Sequence, residues 1–370
     1  MKVKLGDVCE RGSSNLKQSD VVGMSGDYPI YGAAGYLGNV DFYHQEKPYV
    51  AVVKDGAGIG RTTLHPAKSS VIGTMQYLLP KSNILPEYLY YVVSYKHLEK
   101  YFTGATIPHI YFKDYKNEKF NLDSLDMQKK IVDILSKCEG IIKSRNRELE
   151  LLDELVKARF VEMFGDENNS KNWNIINVEN VADVQVGIVI KPSQYYTNKG
   201  NGVKAFRSLN IGEGFIKDND WVYFTEEGHN KNSKSIVKEN DLLIVRSGAP
   251  GTACVVTEKY TGYNAIDIII VHPDCEKINP YYLCYFTNMP HGKKQINEGT
   301  SGAAQQHFNV GKYNKLRLML PPKELQDEFA DLVHQIDKSK VNYYYKNRKD
   351  GFPPLLFIYS VTTIINLSDY

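Results

Sequence analysis

The sequence predicts a mixed α/β fold of the α+β kind, with two tandem domains of the same plan separated by long helices. Three observations predict it: short β-rich runs between glycine turns, an apolar stripe at helical spacing that occurs twice, and an internal repeat. The two helical stripes are expected to pack against each other as an antiparallel coiled coil.

The repeat keeps the order of its segments although few residues are identical. It places Lys54 beside Arg246, and its offset rises from 192 to 198 residues along the chain, as small loop insertions produce. Matches in one consistent order indicate a duplication. The matching pairs are VVKDGA at 52–57 with IVRSGA at 244–249, LPEYLYYV at 85–92 with NPYYLCYF at 279–286, His109 and Tyr115 with His307 and Tyr313, and MQKKIVDIL at 127–135 with LQDEFADLV at 325–333.

The first domain is expected over residues 1–125. Its β-rich runs YPIYGAAGYLG at 28–38, YVAVV at 49–53 and VIGTMQYLLP at 71–80 alternate with glycine turns. This pattern is typical of a turn-rich domain with short strands.

A central helix is expected over 126–165 as a spacer arm. Its apolar residues follow a 3-4 spacing, charged residues occupy its other faces, and Gly165 ends it. At 1.5 Å per residue such a helix is about 55 to 60 Å long, more than a domain needs to cap itself. The predicted stripe is Met127, Ile131, Leu135, Cys138, Ile142, Leu149, Leu152, Val156 and Met163, with Arg145 and Arg159 at two seam positions.

The second domain is expected over 166–322, after a polar linker at 166–174. Glycine turns join its strands in VKAFRSLNIGEG at 203–214 and DLLIVRSGAPG at 241–251. A distal helix follows at 323–348, where Leu325, Phe329, Leu332 and Ile336 repeat the apolar stripe.

Composition narrows the class of protein. The chain has 370 residues, 42% hydrophobic and 24% charged, and its five cysteines form no CxxC pair. The start MKVKLGDV has no apolar run of a signal peptide, so a cytoplasmic protein without a membrane segment is expected. A net charge of +2 excludes a strongly basic, non-specific nucleic-acid binder, so any such contact must be local.

The order of these segments resembles the specificity (S) subunit of type I restriction-modification systems. The phrases that carry the resemblance are YPIYGAAGY, DLLIVRSGAPG, the helix end VKARFVEMFGD and the helix start PPKELQDEFADLV, over residues 1 to about 340. The resemblance implies two target recognition domains, each reading one half of a split double-stranded DNA site. It also implies that the helices fix the spacing and dock two methyltransferase (M) subunits, with restriction (R) subunits joining through the complex.

Candidate DNA contacts lie in the loops. Arg suits guanine and Gln suits adenine, so these side chains suit the major groove. The alternative for each cation is an ordinary solvated loop charge, and for each histidine a satisfied structural role. The candidates are Lys54, Arg61, His109 and Lys113 in the first domain, and Arg207, Arg246, Gln305, Gln306, His307 and Lys312 in the second.

No catalytic signature is found in the sequence. GAGIGRT at 56–62 lacks the Gly-Lys-Ser/Thr ending of a phosphate loop, and NPYY at 279–282 only imitates an amino-methyltransferase tetrad. Histidines and cysteines lack metal-ligand spacing, so neither a cofactor nor a metal is expected. The chain is interpreted as the non-catalytic specificity subunit of a site-specific deoxyribonuclease and adenine methyltransferase complex. A two-module protein-interaction adaptor and a standalone nuclease remain as alternatives.

The apolar tail at 349–370 departs from the repeat. Gly351, Pro353 and Pro354 interrupt helical structure, and IYSVTTII has no helical period. A reading-frame change and a genuine tail both account for it, and the former predicts a distal helix cut short.

Overall fold

Unbroken apolar runs rich in β-branched residues or leucine form the centre of each half of the chain. Residues 49–53 (YVAVV) and 242–245 (LLIV) are buried throughout, as expected for central strands covered on both faces. Each run is a strand with a hydrogen-bonded neighbour on either side.

The computed structural model describes residues 1–56, 58–102, 108–300 and 308–349, with the backbone alone for 299–300 and 341–349. The chain divides into a first unit built on Met1–Asn146 and a second built on Arg147–Lys346. The predicted tail from residue 350 onward lies outside the described residues.

The first unit contains nine strands and the helices α1 to α4, and the long helix α5 begins in it. The strands are β1 Lys2–Lys4, β2 Cys9–Ser13, β3 Tyr28–Gly32, β4 Gly35–Val40, β5 Tyr49–Val53, β6 Thr62–His65, β7 Ser70–Val71, β8 Met75–Pro80 and β9 Lys119–Asn121. The helices are α1 Leu5–Val8, α2 Gln18–Val21, α3 Pro86–Tyr95, α4 Phe112–Tyr115 and α5 Leu125–Phe164.

The second unit contains ten strands and the helices α6 to α10, together with the end of α5. The strands are β10 Asn174–Asn177, β11 Ala182–Val186, β12 Tyr196–Thr197, β13 Val203–Phe206, β14 Val222–Phe224, β15 Leu242–Val245, β16 Ala253–Val255, β17 Asn264–Ala265, β18 Ile268–Pro273 and β19 Arg317–Leu320. The helices are α6 Glu226–Lys231, α7 Pro280–Asn288, α8 Pro290–Thr300, α9 Val310–Asn314 and α10 Lys323–Lys349.

The sheets of the two units share one topology, except that β12 adds a strand beside β14 in the second unit. The main sheet has the order β2-β8-β5-β6 in the first unit and β11-β18-β15-β16 in the second, antiparallel throughout. A smaller sheet joins β3 to β4 and, in parallel, to β7, as β13 joins β14 and β17. The pair β1-β9 corresponds to β10-β19. The mixed fold and the repeated plan predicted from the sequence are therefore confirmed.

Helices α5 and α10 pack antiparallel within the second unit. The ring centroids of Phe160 and Phe329 lie 5.3 Å apart, and Lys340 forms an ion pair with Asp153. Because the later residue of α10 pairs with the earlier residue of α5, the two helices run in opposite directions. Val156 is buried in the same core. Burying each phenylalanine contributes about 1.5 to 3 kcal/mol, which favours this pairing. The antiparallel packing predicted from the stripes is present here.

The predicted stripe of α5 is only partly correct. Leu135 and Val156 are buried, but Met127 and Ile142 are 45% and 37% exposed. Residues 139–148 are all exposed, and Leu149 is half-buried. The stripe fails because the two ends of α5 pack into separate cores, and Phe160, which the spacing missed, is fully buried.

Residues 166–173, predicted as the start of a polar linker, form turns that fold against the end of α5. The Trp173 indole donates to the Phe164 carbonyl at 2.9 Å, and Asn169 exchanges bonds with the Trp173 backbone. Gly165 has φ +89°, the left-handed conformation that ends a helix. Among the described helices, none is both long enough and apolar enough to cross a membrane.

Candidate nucleic-acid interface

In the first unit, one edge of the main sheet collects the candidate loops. Strands β2 and β5 end where β6 and β8 begin, because Ser13 pairs with Gln76 and Val53 pairs with Met75. The chain therefore turns from β5 into β6 at this edge. We call residues 54–56, 58–61 and 108–110 the first loop edge.

Backbone bonds hold the first loop edge together. The Ile110 N–H donates to the Lys54 carbonyl at 3.0 Å, and the Gly56 N–H donates to the Pro108 carbonyl at 3.0 Å. The Asp55 carboxylate pairs with the His109 imidazole and lies 4.0 Å from the Lys54 ammonium. The fold thus brings Lys54 and His109 together from distant parts of the sequence.

The charge of Lys54 is only partly solvated at this edge. Its side chain is 22% exposed, and partial burial together with the nearby Arg11 guanidinium lowers the pKa of Lys54. Since desolvation disfavours an ammonium ion, an approaching anion would relieve that cost.

Arg61 and Lys113 lie on the surface of the same unit. Arg61 is exposed, and its guanidinium donates to the carbonyl of Ala33, a residue between β3 and β4. The Lys113 ammonium lies 5.1 Å from the centre of the Tyr111 ring, a cation–π distance. Both cations are accessible to a partner.

The second unit repeats this edge. Val245 at the end of β15 pairs with Ile268 at the start of β18, and the Phe308 N–H donates to the Arg246 carbonyl at 3.0 Å. This bond is the counterpart of the one between Ile110 and Lys54. We call residues 246–251, 267 and 308 the second loop edge.

Arg246 is held by a carboxylate that the sequence did not reveal. Its guanidinium donates to Asp267 at 2.6 Å and to the Phe308 carbonyl at 3.3 Å, and its side chain is 16% exposed. Asp267 has φ +50°, an uncommon conformation for a residue other than glycine. The signal for such a pair is weak, since 21 residues separate its members.

Arg207 follows β13, whose last residue Phe206 pairs with Ala265, two residues before Asp267. The Arg207 guanidinium donates to the Asp220 carbonyl. Its Nε is buried and has no hydrogen-bond partner in the described part of the chain. Arg207 therefore lies at the end of β13, next to β17, and only some of its hydrogen-bond donors have partners.

The other predicted residues divide into two groups. Lys312 is exposed on α9, where its N–H is capped by the Asn309 side chain at 3.0 Å. Gln305, Gln306 and His307 lie outside the described residues. Among the side chains that the structure describes, no group of three His, Cys, Asp or Glu residues is arranged to hold a metal ion.

The model of one protein family matches both halves of the chain. It describes the type I restriction modification DNA specificity domain, and it covers residues 1–152 and 166–344. The chain belongs to this family. Its role is accordingly that of a specificity subunit, which recognises DNA sequence.

Known proteins of the same kind match over most of the chain. The type I restriction enzyme MjaVIII specificity subunit of Methanocaldococcus jannaschii is 25% identical over 311 residues, 78% of this chain and 72% of that protein. The MjaIX specificity subunit of the same organism is 20% identical over 289 residues, 72% of this chain and 65% of that protein.

Solved structures show the same fold. The S subunit of a type I restriction-modification system from M. genitalium gives a TM-score of 0.59 at 16% identity, covering 99% of this chain and 94% of that one. A chain from a study of complex assembly and conformational transition in a type I system gives a TM-score of 0.51 at 13% identity, covering 99% and 95%.

Proposed function

We propose that the two units read the two halves of one asymmetric, bipartite DNA site, one half each. The observation that carries this proposal is the repeated backbone frame with different side chains. Lys54 and Arg246 accept the same backbone bond at corresponding edges, yet Lys54 lies beside Asp55 and His109, whereas Arg246 pairs with Asp267. Different side chains on one frame favour different base sequences.

The DNA contacts are assigned to the loop edges. The lysines and the arginines suit either phosphate oxygens or guanine edges. Two adjacent long amides, Gln305 and Gln306, suit adenine in the major groove. The proposed contacts are Lys54, Arg61, His109 and Lys113 for one half-site and Arg207, Arg246, Gln305, Gln306, His307 and Lys312 for the other.

The helices are proposed to fix the spacing of the half-sites and to dock two methyltransferase subunits, with restriction subunits joining through the complex. Support comes from α5, where Ile134 and Ile141 are 51% and 63% exposed and Leu151 and Leu155 are 48% and 46% exposed. Apolar side chains exposed along one helix favour a protein partner.

Exchange of residues 1–125 for the corresponding domain of another specificity subunit tests the proposal. Methylation profiling of cells with the assembled complex should show one half of the target changed, with the other half and the spacing intact. Inserting one helical turn at residue 143, within the exposed part of α5, should instead change the spacing alone. A domain exchange that altered both halves would contradict the modular assignment, and sequence-insensitive binding by the wild-type complex would favour an adaptor.

A further inference from the structure

An apolar tip projects from the loop after β11. Val186, Val189 and Ile190 are 38%, 49% and 79% exposed, and the exposed Lys191 follows them. Neighbouring aliphatic side chains left in water are costly, and they commonly mark a binding surface.

The base of this tip is fixed by the backbone. The Gly187 N–H donates to the Ile268 carbonyl and the Ile188 N–H donates to the Ala265 carbonyl, both at 2.9 Å. A Cβ atom at Gly187 would lie 2.2 Å from the Ala265 carbonyl oxygen, so only glycine permits this close approach. Pro192 begins a 3₁₀ turn on the far side of the tip and restricts that end.

Asp267 connects the tip to the second loop edge. Its N–H donates to the Ile188 carbonyl at 3.0 Å, while its carboxylate accepts from Arg246 at 2.6 Å. One residue in a left-handed conformation therefore positions both the cation and the root of the apolar tip. The tip belongs to the same edge as Arg246.

The first unit has a different sequence at the corresponding place. Strand β2 lies beside β8 as β11 lies beside β18, so the two strands correspond. The residues that follow β2 are Ser14, Asn15 and Leu16. Ser14 is buried and Leu16 is half-buried, so the residues directly after β2 form no comparable apolar tip. The exposed Val22 and Met24 lie further along, after α2.

We propose that Val189 and Ile190 form an apolar wedge that contacts bases of the second half-site, at thymine methyl groups or between adjacent base pairs. DNA is favoured over a protein partner because the tip is continuous with Arg246 and is followed by Lys191, whose charge suits the neighbouring phosphate. Apolar side chains recognise thymine methyls and also unstack base steps. This inference rests on the proposed function of the second unit.

The test uses the assembled complex and DNA that carries the target established by methylation profiling of the wild type. The double variant Val189→Ser/Ile190→Ser should bind this DNA about tenfold more weakly, the scale of one lost base contact. The slope of binding against salt concentration should stay unchanged, because no phosphate contact is lost. Where the wedge contacts thymine methyl groups, replacing second-half thymines with uracil weakens wild-type binding and leaves the variant unaffected. Weaker binding by the variant with no effect of uracil places the wedge between base pairs instead.

Ile175→Ser is the matched control, since Ile175 is also exposed at 40% but lies on β10 in a separate sheet. It should leave affinity and specificity unchanged. A thermal unfolding midpoint equal to that of the wild type establishes that the double variant is folded. Wild-type-like DNA binding by the folded double variant would overturn the wedge. Weaker assembly of the complex with sequence preference intact would also overturn it, because that result would indicate that the tip docks a protein. Absence of sequence preference in the wild-type complex would instead contradict the proposed function itself.

Discussion

The two units share their buried polar anchors and differ at their loop edges. Gln128 and Gln326 are both fully buried near the start of the helix that closes their unit. Each accepts the backbone N–H of the residue before a shorter helix, Leu85 in one case and Asn279 in the other, at 2.9 Å. A buried amide with fixed partners tolerates little change, whereas exposed loops tolerate much.

A second difference between the units lies beside the two-stranded sheets β1-β9 and β10-β19. The carbonyls of Glu118 and Leu316 accept corresponding backbone bonds at 3.0 and 3.2 Å, so the two residues occupy the same place. Glu118 gathers the ammonium groups of Lys96 and Lys100 at 3.7 and 2.5 Å. Leu316 instead lines a cavity of about 460 Å³ whose other residues include Glu298, Lys312 and Arg317. At this position the first unit thus has a carboxylate that pairs with lysines, and the second has an aliphatic side chain.

The largest effect is expected at the shared anchors. Gln326→Leu removes the acceptor of the Asn279 N–H and the donor to the Pro321 carbonyl, and Gln128→Leu removes three such bonds. Each variant should lose about 3 kcal/mol of stability, because buried polar groups are left unsatisfied. Denaturant unfolding of the full chain measures the loss. Gln335→Leu, at an exposed position of α10, should change stability by less than about 0.5 kcal/mol, and equal losses for all three would contradict the shared-anchor interpretation.

The helices that close each unit were predicted from the sequence better than the contacts at the loop edges. Repeated phrases such as MQKKIVDIL and LQDEFADLV located both closing helices, because helix starts leave a local pattern. The pairing of Arg246 with Asp267, and of Asp55 with His109, joins side chains from separate loops. Such pairs have no fixed spacing, so they are visible only after folding. The apolar stripe predicted along α5 was too long for a related reason. The spacing of apolar residues shows that a helix is amphipathic, but it does not show which neighbouring element covers the apolar face.

The difference between the edges predicts reciprocal effects on DNA recognition. Lys54→Met should relax specificity in one half-site and Arg246→Met in the other, each with about tenfold weaker binding by the assembled complex. Quantitative binding to DNA with substitutions in either half measures this. Lys277→Met is a matched control, since this exposed lysine follows the opposite end of β18. If either edge variant affected both halves equally, the edges would not be separate reading surfaces.

The stability that Glu118 contributes through its lysine and tyrosine partners should depend on pH, whereas Leu316, at the corresponding position of the second unit, has no ionisable group. Partial burial raises the pKa of Glu118, but hydrogen bonds from Lys100 and Tyr101 and the charges of Lys100 and Lys96 outweigh it and lower the pKa overall. A carboxylate with a lowered pKa contributes stability above its unfolded pKa of about 4.3, and loses it as the pH falls through the folded value.

Glu118→Gln should therefore cost about 1 kcal/mol at neutral pH, the scale of lost charge-assisted hydrogen bonds. Unfolding measured from pH 7 down to pH 3 should show the wild type and the variant converging on the acid side. Glu150→Gln removes an exposed ion pair with Arg147 and should have a smaller effect at every pH. A difference that stayed constant down to pH 3 would show that the charge of Glu118 is not its source.

The smallest effect is expected in the exposed middle of α5, where the two long helices differ. Gly140 lies within this helix with open space around it, whereas the offset of 198 places Lys338 at the corresponding position of α10. Gly140→Ala should stabilise the helix locally by up to about 1 kcal/mol, because alanine loses less conformational freedom on folding. Hydrogen exchange of the amides around residue 140 should slow by a few-fold. Gly200→Ala adds the same methyl group, also in open space, but at φ +90°, where a side chain is strained. It should destabilise, and a stabilising effect of both substitutions would show that the added methyl group, and not backbone conformation, decides the sign.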